Sequence, residues 1–175
     1  MAQRDVEAFE RLMLPHLDDA YGLACHLLGN EHDAQDVVQD AVLRALRYFD
    51  GYGEGDPRAW LLAIVRNCCH SWHRQHRADR LSVSYSDAAD SPNLHRTPEA
   101  DTHAIQSSER AAIGRAVAEL PAEFREVIVL REIQEMSYKE ISTVVGVPIG
   151  TVMSRLARAR KRLTVSLGLS VREAS

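Results

Sequence analysis

A chain of 175 residues, 45% hydrophobic and only 6% aromatic, is long enough for one domain or two small compact ones. Helix formers such as Ala, Leu, Arg and Glu abound and no run of β-branched residues alternates with polar ones, which argues against a sheet-based fold and makes an all-α architecture the expectation. The formal charge of −4 conceals a segregation: residues 1–50 carry ten acids against four Lys/Arg and residues 51–80 three against five, whereas residues 81–135 carry ten against five and residues 136–175 two against seven.

Two basic stretches separated by acidic sequence predict two nucleic-acid contacts and a further partner for the acidic face. Cys25, Cys68 and Cys69 are odd in number and lack zinc-finger spacing, so they read as small core residues of a reducing compartment. No signal peptide and no apolar run of membrane-spanning length is seen, and a soluble, cytoplasmic protein is expected.

From Asp5 to Leu28 the apolar residues Phe9, Leu12, Met13, Leu17, Tyr21, Ala24 and Leu28 recur at the spacing of one buried helix face, with Pro15 as a point of kinking or division. Gly29-Asn30 ends the run with the two residue types that best tolerate a left-handed cap. A second helix, from about His32 to Phe49, has Val38, Val42, Ala45 and Phe49 as its expected core stripe. Asp36, Gln39, Asp40, Leu43 and Arg47 look outward, and an apolar Leu43 ringed by charge has the character of a docking surface.

Asp50 to Pro57 is a glycine-rich loop without the GxxxxGK pattern of a phosphate cradle. Its three glycines allow either a close backbone approach or a flexible turn. The helix that follows, from Pro57 to about Arg77, places Leu61, Val65, Cys68 and Trp72 on one side and Arg66, Asn67, His70, His73, Arg74 and Arg77 on the other. A cationic face of that kind suits single-stranded or distorted DNA. His70, His73 and His76 invite a metal reading, but successive steps of three drift by about 60° around a helix and no HExxH pattern is present. No metal or cofactor is expected.

Residues 78–108 change character, with Ser, Asp, Pro, Thr and Asn dominant and no clear apolar period, as in a tether between two modules. Beyond them Glu109–Leu120 and PAEFREVIVLREI, opened by Pro121, read as two scaffold helices. Ser137 and Glu140 then form a capping box, Gly146 stops the short helix they start, and Pro148 opens another from about Ile149 to Leu163. Val152, Leu156, Ala159 and Leu163 share its packing stripe; Ser154, Arg158 and Lys161 lie opposite, flanked by Arg155. With five Lys/Arg and no acid between Pro148 and Leu163, this is a helix-turn-helix whose second helix suits the major groove.

The stretches DAQDVVQDAVLRALR, RAWLLAIVRN and LPAEFREVIVLREIQEMSYKEISTVVGVPIGTVMSRLARARKRL, in that order, resemble a bacterial sigma factor of the extracytoplasmic-function (ECF) group. The resemblance implies a region 2 domain over residues 1–77, a linker over 78–108 and a region 4 domain over 109–175, with no enzymatic activity. It implies that Asp36, Gln39, Asp40, Leu43 and Arg44 contact core RNA polymerase. The loop at Gly51 to Asp56, with Ile64 and Asn67, would capture an unstacked base of the minus-ten promoter element while Arg66, Arg74 and Arg77 hold the backbone. Ser154, Arg155 and Arg158 would read the minus-thirty-five duplex with Lys161 on phosphate. Met153 stands where relatives commonly place Arg or Lys, and its thioether makes no bidentate bond to guanine. The family pattern also implies an anti-sigma partner. A stand-alone helix-turn-helix regulator is the alternative.

Overall fold

The computed structural model describes the backbone of residues 3–82 and 101–168 and the side chains of residues 6–77 and 109–168. Eight α-helices are present among the described residues, with no strand: α1 (Gln3–Met13), α2 (Leu17–Leu28), α3 (Glu31–Arg47), α4 (Pro57–Ser82), α5 (Asp101–Ala118), α6 (Ala122–Ile128), α7 (Tyr138–Val145) and α8 (Ile149–Ser166). The expected tether falls largely on residues 83–100, which lie outside the described residues. Helix α4 runs beyond Arg77, and α5 begins at Asp101 rather than Glu109.

The first expected helix is divided at Pro15, which lies in a 3₁₀ turn over Leu14–His16. That turn shifts the helical phase, so the buried face of α2 is Ala20, Leu23, Ala24 and Leu27, while Tyr21 and Leu28 are only half-buried. Gly29 adopts the left-handed cap (φ 72°). Asn30 does not: its backbone is extended, and its Oδ1 accepts from the amides of His32 (2.8 Å) and Asp33 (3.3 Å), making it the N-cap of α3. The core stripe of α3 is likewise rotated from the expected one. Ala34, Val37, Ala41 and Ala45 are buried, and Val38, Val42 and Phe49 flank them half-buried. Small alanines face inward because α3 packs closely against both α2 and α4.

Helix α4 is the central element, packing on α1, α2, α3 and, from the second half of the chain, α7. Ala59, Leu61, Leu62, Val65, Cys68 and Cys69 are buried along it; Trp72, expected in the core, is half-buried and stacks on His76 at 3.8 Å between ring centroids. Asp56, expected only as part of the loop, starts α4: its Oδ1 accepts from the Arg58 amide at 3.0 Å.

In the second half, α6 turns Phe124, Val127 and Ile128 inward, and Val129 and Leu130 continue the buried run. The expected single helix through Ile133 instead widens into a π turn over Val129–Ile133, closed by Gln134 N–H donating to Val129 O at 3.0 Å. Glu135 then takes a left-handed backbone (φ 54°) and the chain reverses into α7.

The helix-turn-helix follows its expected outline. Ser137 N–H donates to Glu140 Oε2 (2.7 Å), and Glu140 N–H donates to Ser137 Oγ (3.3 Å). Gly146 (φ 72°) ends α7, and Ser142 Oγ ties the turn by donating to Val147 O at 2.6 Å. Val152, Leu156 and Ala159 are buried on α8, with Leu163 half-buried beside them. Buried apolar residues of both halves form one contiguous cluster.

Candidate nucleic-acid and partner interface

On α3 the buried alanine stripe turns the opposite face outward, and Asp36, Gln39, Asp40, Leu43 and Arg44 are all exposed. Leu43, 58% exposed, is one of the largest apolar side chains left in water. Asp40 accepts from Arg44 Nε at 2.9 Å one turn on. Tyr48, 64% exposed, extends the same helix end. Together these residues form an apolar spot rimmed by charge.

The loop before α4 is organised by aromatics. Phe49 stacks on Tyr52 at 5.7 Å, and Tyr52 leans on Trp60 at 5.1 Å, while the Tyr52 hydroxyl donates to Gly55 O. None of Gly51, Gly53 and Gly55 has a positive φ, and a Cβ on any of them would meet nothing within 4 Å. Their lack of a side chain therefore answers no demand of this chain's own packing. Downstream, Asn67, Arg74 and Arg77 are exposed and Ile64 half-buried. Arg74 Nη2 donates to Ser71 Oγ at 3.1 Å.

Arg66 behaves differently from the expected free backbone clamp. Its Nε donates to Glu126 Oε2 (2.8 Å) and its Nη2 to Glu126 Oε1 (3.2 Å), a forked ion pair across 60 residues of sequence. His70 Nε2 donates to Glu126 Oε2 at 3.2 Å. From the other side, Arg155 Nη1 donates to Glu126 Oε1 at 3.3 Å, and Arg155 Nη2 lies 3.6 Å from Glu123. Burial of Glu126 opposes its ionisation, but the hydrogen bonds from His70 and Arg66 and their charges outweigh that, holding its carboxyl below the ordinary range. Two arginines expected at different promoter elements thus meet at one carboxylate.

The rest of the α8 face is open. Met153, Ser154, Arg158 and Lys161 are exposed, with Ser154 Oγ donating to Thr151 O at 3.0 Å. Arg158 and Lys161 also border a groove floored by Leu120, Pro121 and Phe124. Arg160 leaves this face and pairs with Glu132 at 2.7 Å, and Arg162 lies over the Phe124 ring at 5.3 Å.

The three histidines of α4 do not converge. Besides His70 on Glu126, His73 Nε2 donates to Leu27 O (3.1 Å), and His76 Nδ1 bonds Trp72 O (2.9 Å). Cys25, Cys68 and Cys69 are free thiols, and burial raises each above its ordinary value, Cys69 to about 12. No described helix is long and apolar enough to cross a membrane.

Sequence reasoning missed the seam between the two halves. Besides Glu126, it contains Arg58, whose Nη2 donates to Gln134 O (2.7 Å), and Gln134, whose Nε2 donates to Asp19 O (3.1 Å). Arg125 joins it without any carboxylate: its Nη1 donates to Leu27 O (3.3 Å) and its Nη2 to Leu120 O (3.0 Å) and to Ala118 O, so it sits at the C-terminal ends of α2 and α5. One signal was available: Glu126 directly precedes the apolar run of residues 127–130, and an acid drawn into such a run is buried only with partners.

An all-α chain whose capped helix-turn-helix presents a cationic face defines a DNA-binding protein of the helix-turn-helix class. Residues 12–79 match sigma-70 region 2, and residues 110–163 match region 4 of sigma-70. The chain is 31% identical to the RNA polymerase sigma-H factor of Pseudomonas aeruginosa, over 97% of this chain and 91% of that protein. It is 30% identical to the ECF sigma factor SigW of Bacillus subtilis, over 93% and 90% respectively. With SigE of Mycolicibacterium smegmatis it shares 34% identity over 92% of its length, spanning 62% of that longer protein. The sigma factor RpoE of Bartonella quintana, solved with the anti-sigma factor NepR, superimposes with a TM-score of 0.72 at 27% identity, covering 94% of this chain and 99% of that one. This chain belongs to the ECF group of the sigma-70 family and is an alternative sigma factor. That family consists of non-enzymatic transcription-initiation factors.

Proposed function

We propose that this chain binds core RNA polymerase through α3, recognises a two-part promoter and assists its melting, and that it does so in the cytoplasm without catalytic activity of its own. The observation that carries the reading is the coexistence of two exposed faces: Leu43 among Asp36, Gln39, Asp40 and Arg44 on α3, and Ser154, Arg158 and Lys161 on an α8 stripped of acids. An apolar spot rimmed by charge suits a protein partner; a cationic helix after a tight turn suits duplex DNA.

In this reading residues 1–77 serve as region 2, residues 78–108 as a linker passing toward the polymerase active site, and residues 109–175 as region 4. Ile64, Asn67, Arg66, Arg74 and Arg77, with the glycine-rich loop, handle the minus-ten element. Three glycines that the chain's own packing does not require leave the loop backbone open to an extracted base. Met153, Ser154, Arg155, Arg158 and Lys161 take the minus-thirty-five duplex, and Met153 offers the groove an apolar contact in place of a guanine-reading fork. An anti-sigma protein covering both halves is the expected regulator; the similar Bartonella quintana factor was solved in complex with the anti-sigma factor NepR.

Run-off transcription with purified core enzyme on genomic fragments tests this. Discrete transcripts that need both the chain and the core enzyme are expected. Tight, site-selective duplex binding by the chain alone, with no transcripts alongside core, would overturn it.

A further inference from the structure

Helix α8 carries five Lys/Arg, yet none stands in its first turn and a half, where residues 149–154 run Ile-Gly-Thr-Val-Met-Ser. Three of the five are also directed back onto the protein. The terminal nitrogens of Arg155 face Glu126 (3.3 Å) and Glu123 (3.6 Å), Arg160 pairs with Glu132 (2.7 Å), and Arg162 lies over the Phe124 ring (5.3 Å). Arg155 thus brings charge to a duplex but no free fork for a guanine. Arg158 and Lys161 stay exposed, from the third turn onward.

The start of the helix presents an apolar surface instead. Ile149 and Met153 are 44% and 52% exposed, and Ala157 is exposed as well. At steps of four they form one ridge along the helix, beside the buried stripe that Val152, Leu156 and Ala159 already fill. Ile149 and Met153 are separated by about 6 Å of helix axis, close to two base-pair steps. Ser154, next to the ridge, donates its hydroxyl proton to Thr151 O at 3.0 Å, so its oxygen faces outward as an acceptor.

In a helix-turn-helix the N-terminal residues of the second helix meet the base edges. In the major groove guanine, adenine and cytosine offer only donors and acceptors, whereas thymine adds a methyl group. Against a polar edge, an apolar side chain displaces water without replacing its hydrogen bonds; against a methyl it buries apolar surface on both sides. A hydroxyl acceptor alongside suits the amino group of adenine. With Lys161 and Arg158 flanking the ridge and no acid between Pro148 and Leu163, the occupant of this face is a polyanion.

We propose that Ile149 and Met153, with Ala157 behind them, read thymine methyl groups in the upstream promoter element, and that Ser154 accepts from the amino group of an adjoining adenine. This rests on the assignment of α8 to the upstream duplex in the proposed function. The start of α8 selects A·T pairs by apolar contact and by the penalty on polar edges, while Arg158 and Lys161 supply the charge.

The probe is a promoter fragment found by run-off transcription, with its upstream element randomised and then bound by reconstituted holoenzyme. Sequencing of the bound fraction is expected to show thymine at two or more nearby positions. In the preferred fragment each of these thymines is then replaced by uracil, which removes the methyl and keeps every hydrogen-bonding group. Each replacement is expected to weaken binding by wild-type holoenzyme about fourfold, the size expected for burying one methyl group. Met153→Ala and Ile149→Ala should each lose the uracil penalty at one position, and Met153→Arg should exchange a thymine preference for guanine. Met153→Ala decides the question alone if Ile149→Ala fails to fold.

Equal binding of thymine and uracil fragments by the wild type overturns the methyl reading. So does guanine selected by the wild type at the position that Met153→Arg alters, or a uracil penalty undiminished in both alanine variants. Loss of core enzyme from an alanine variant that keeps the penalty makes the ridge a protein contact and overturns the proposal as well. Absence of any core-dependent transcript sinks the proposed function separately. In that case the randomised duplex is bound by the full chain alone, and the same uracil exchange reads the ridge.

Discussion

Arg58 and Gln134 stand 76 residues apart in sequence, yet one guanidinium nitrogen of Arg58 donates both to the main-chain oxygen of Gln134 (2.7 Å) and to its side-chain Oε1 (3.0 Å). The same arginine reaches Asp19 through Nε. One side chain at the start of α4 thereby ties α2 to the turn that leads into α7. Gln134 is in position because the π turn over Val129–Ile133 and the left-handed Glu135 place it against the first half of the chain.

The depressed Glu126 carboxyl has a consequence for acid stability. Its folded pKa lies below the unfolded value, so its stabilisation is complete above the ordinary glutamate range and is lost as pH falls through the folded value. Glu126→Gln is expected to lose about 1–3 kcal/mol at neutral pH and progressively less below about pH 4, where wild type has itself lost the contribution. Urea melts of both chains across that range check this. A constant difference at all pH values would contradict it.

At Gly146 the backbone requirement is separable from packing. The φ of 72° strains any residue with a Cβ, but a Cβ there would meet nothing within 4 Å. Gly146→Ala should therefore cost about 1–2 kcal/mol through backbone strain alone. The check is thermal melting, with the α7–α8 turn otherwise intact.

Charge reversal on α3 should separate docking from folding. Among the described residues Asp40 forms its ion pair only with its own helix neighbour Arg44, at the surface, and such pairs contribute at most about 0.5 kcal/mol. Asp40→Lys is expected to melt near wild type but to co-purify poorly with core polymerase. Wild-type yield in that pull-down would contradict the docking face.

Arg158 is exposed on the open face of α8, clear of the Glu126 cluster. Arg158→Ala should weaken binding of the upstream promoter element by holoenzyme by about 1–3 kcal/mol while leaving the fold intact. An unchanged holoenzyme footprint would remove it from the reading set.

Much of this molecule follows from local rules. The capping box of Ser137 and Glu140, the left-handed Gly146 and the apolar stripe of α8 depend on residues within a few turns of one another, so spacing alone identifies the helix-turn-helix. The acidic outer face of α3 was legible too, although its core stripe was misplaced. Periodicity favoured the larger Val38 and Val42, whereas close packing between α2 and α4 selected the alanines.

The sequence by itself determined most of the helices, the caps at Gly29, Ser137 and Gly146, and the outward acidic face of α3 and basic face of α8, because capping and amphipathic periodicity are short-range. Only the tertiary structure decided the fate of Arg66 and Arg155. In the sequence both are cations on basic helices; in the fold, α4 and α8 bring them to opposite sides of a buried Glu126. Which cation a carboxylate takes depends on burial and on distances set by packing, across the seam for Arg66 and within the second half for Arg155, and no local pattern encodes either.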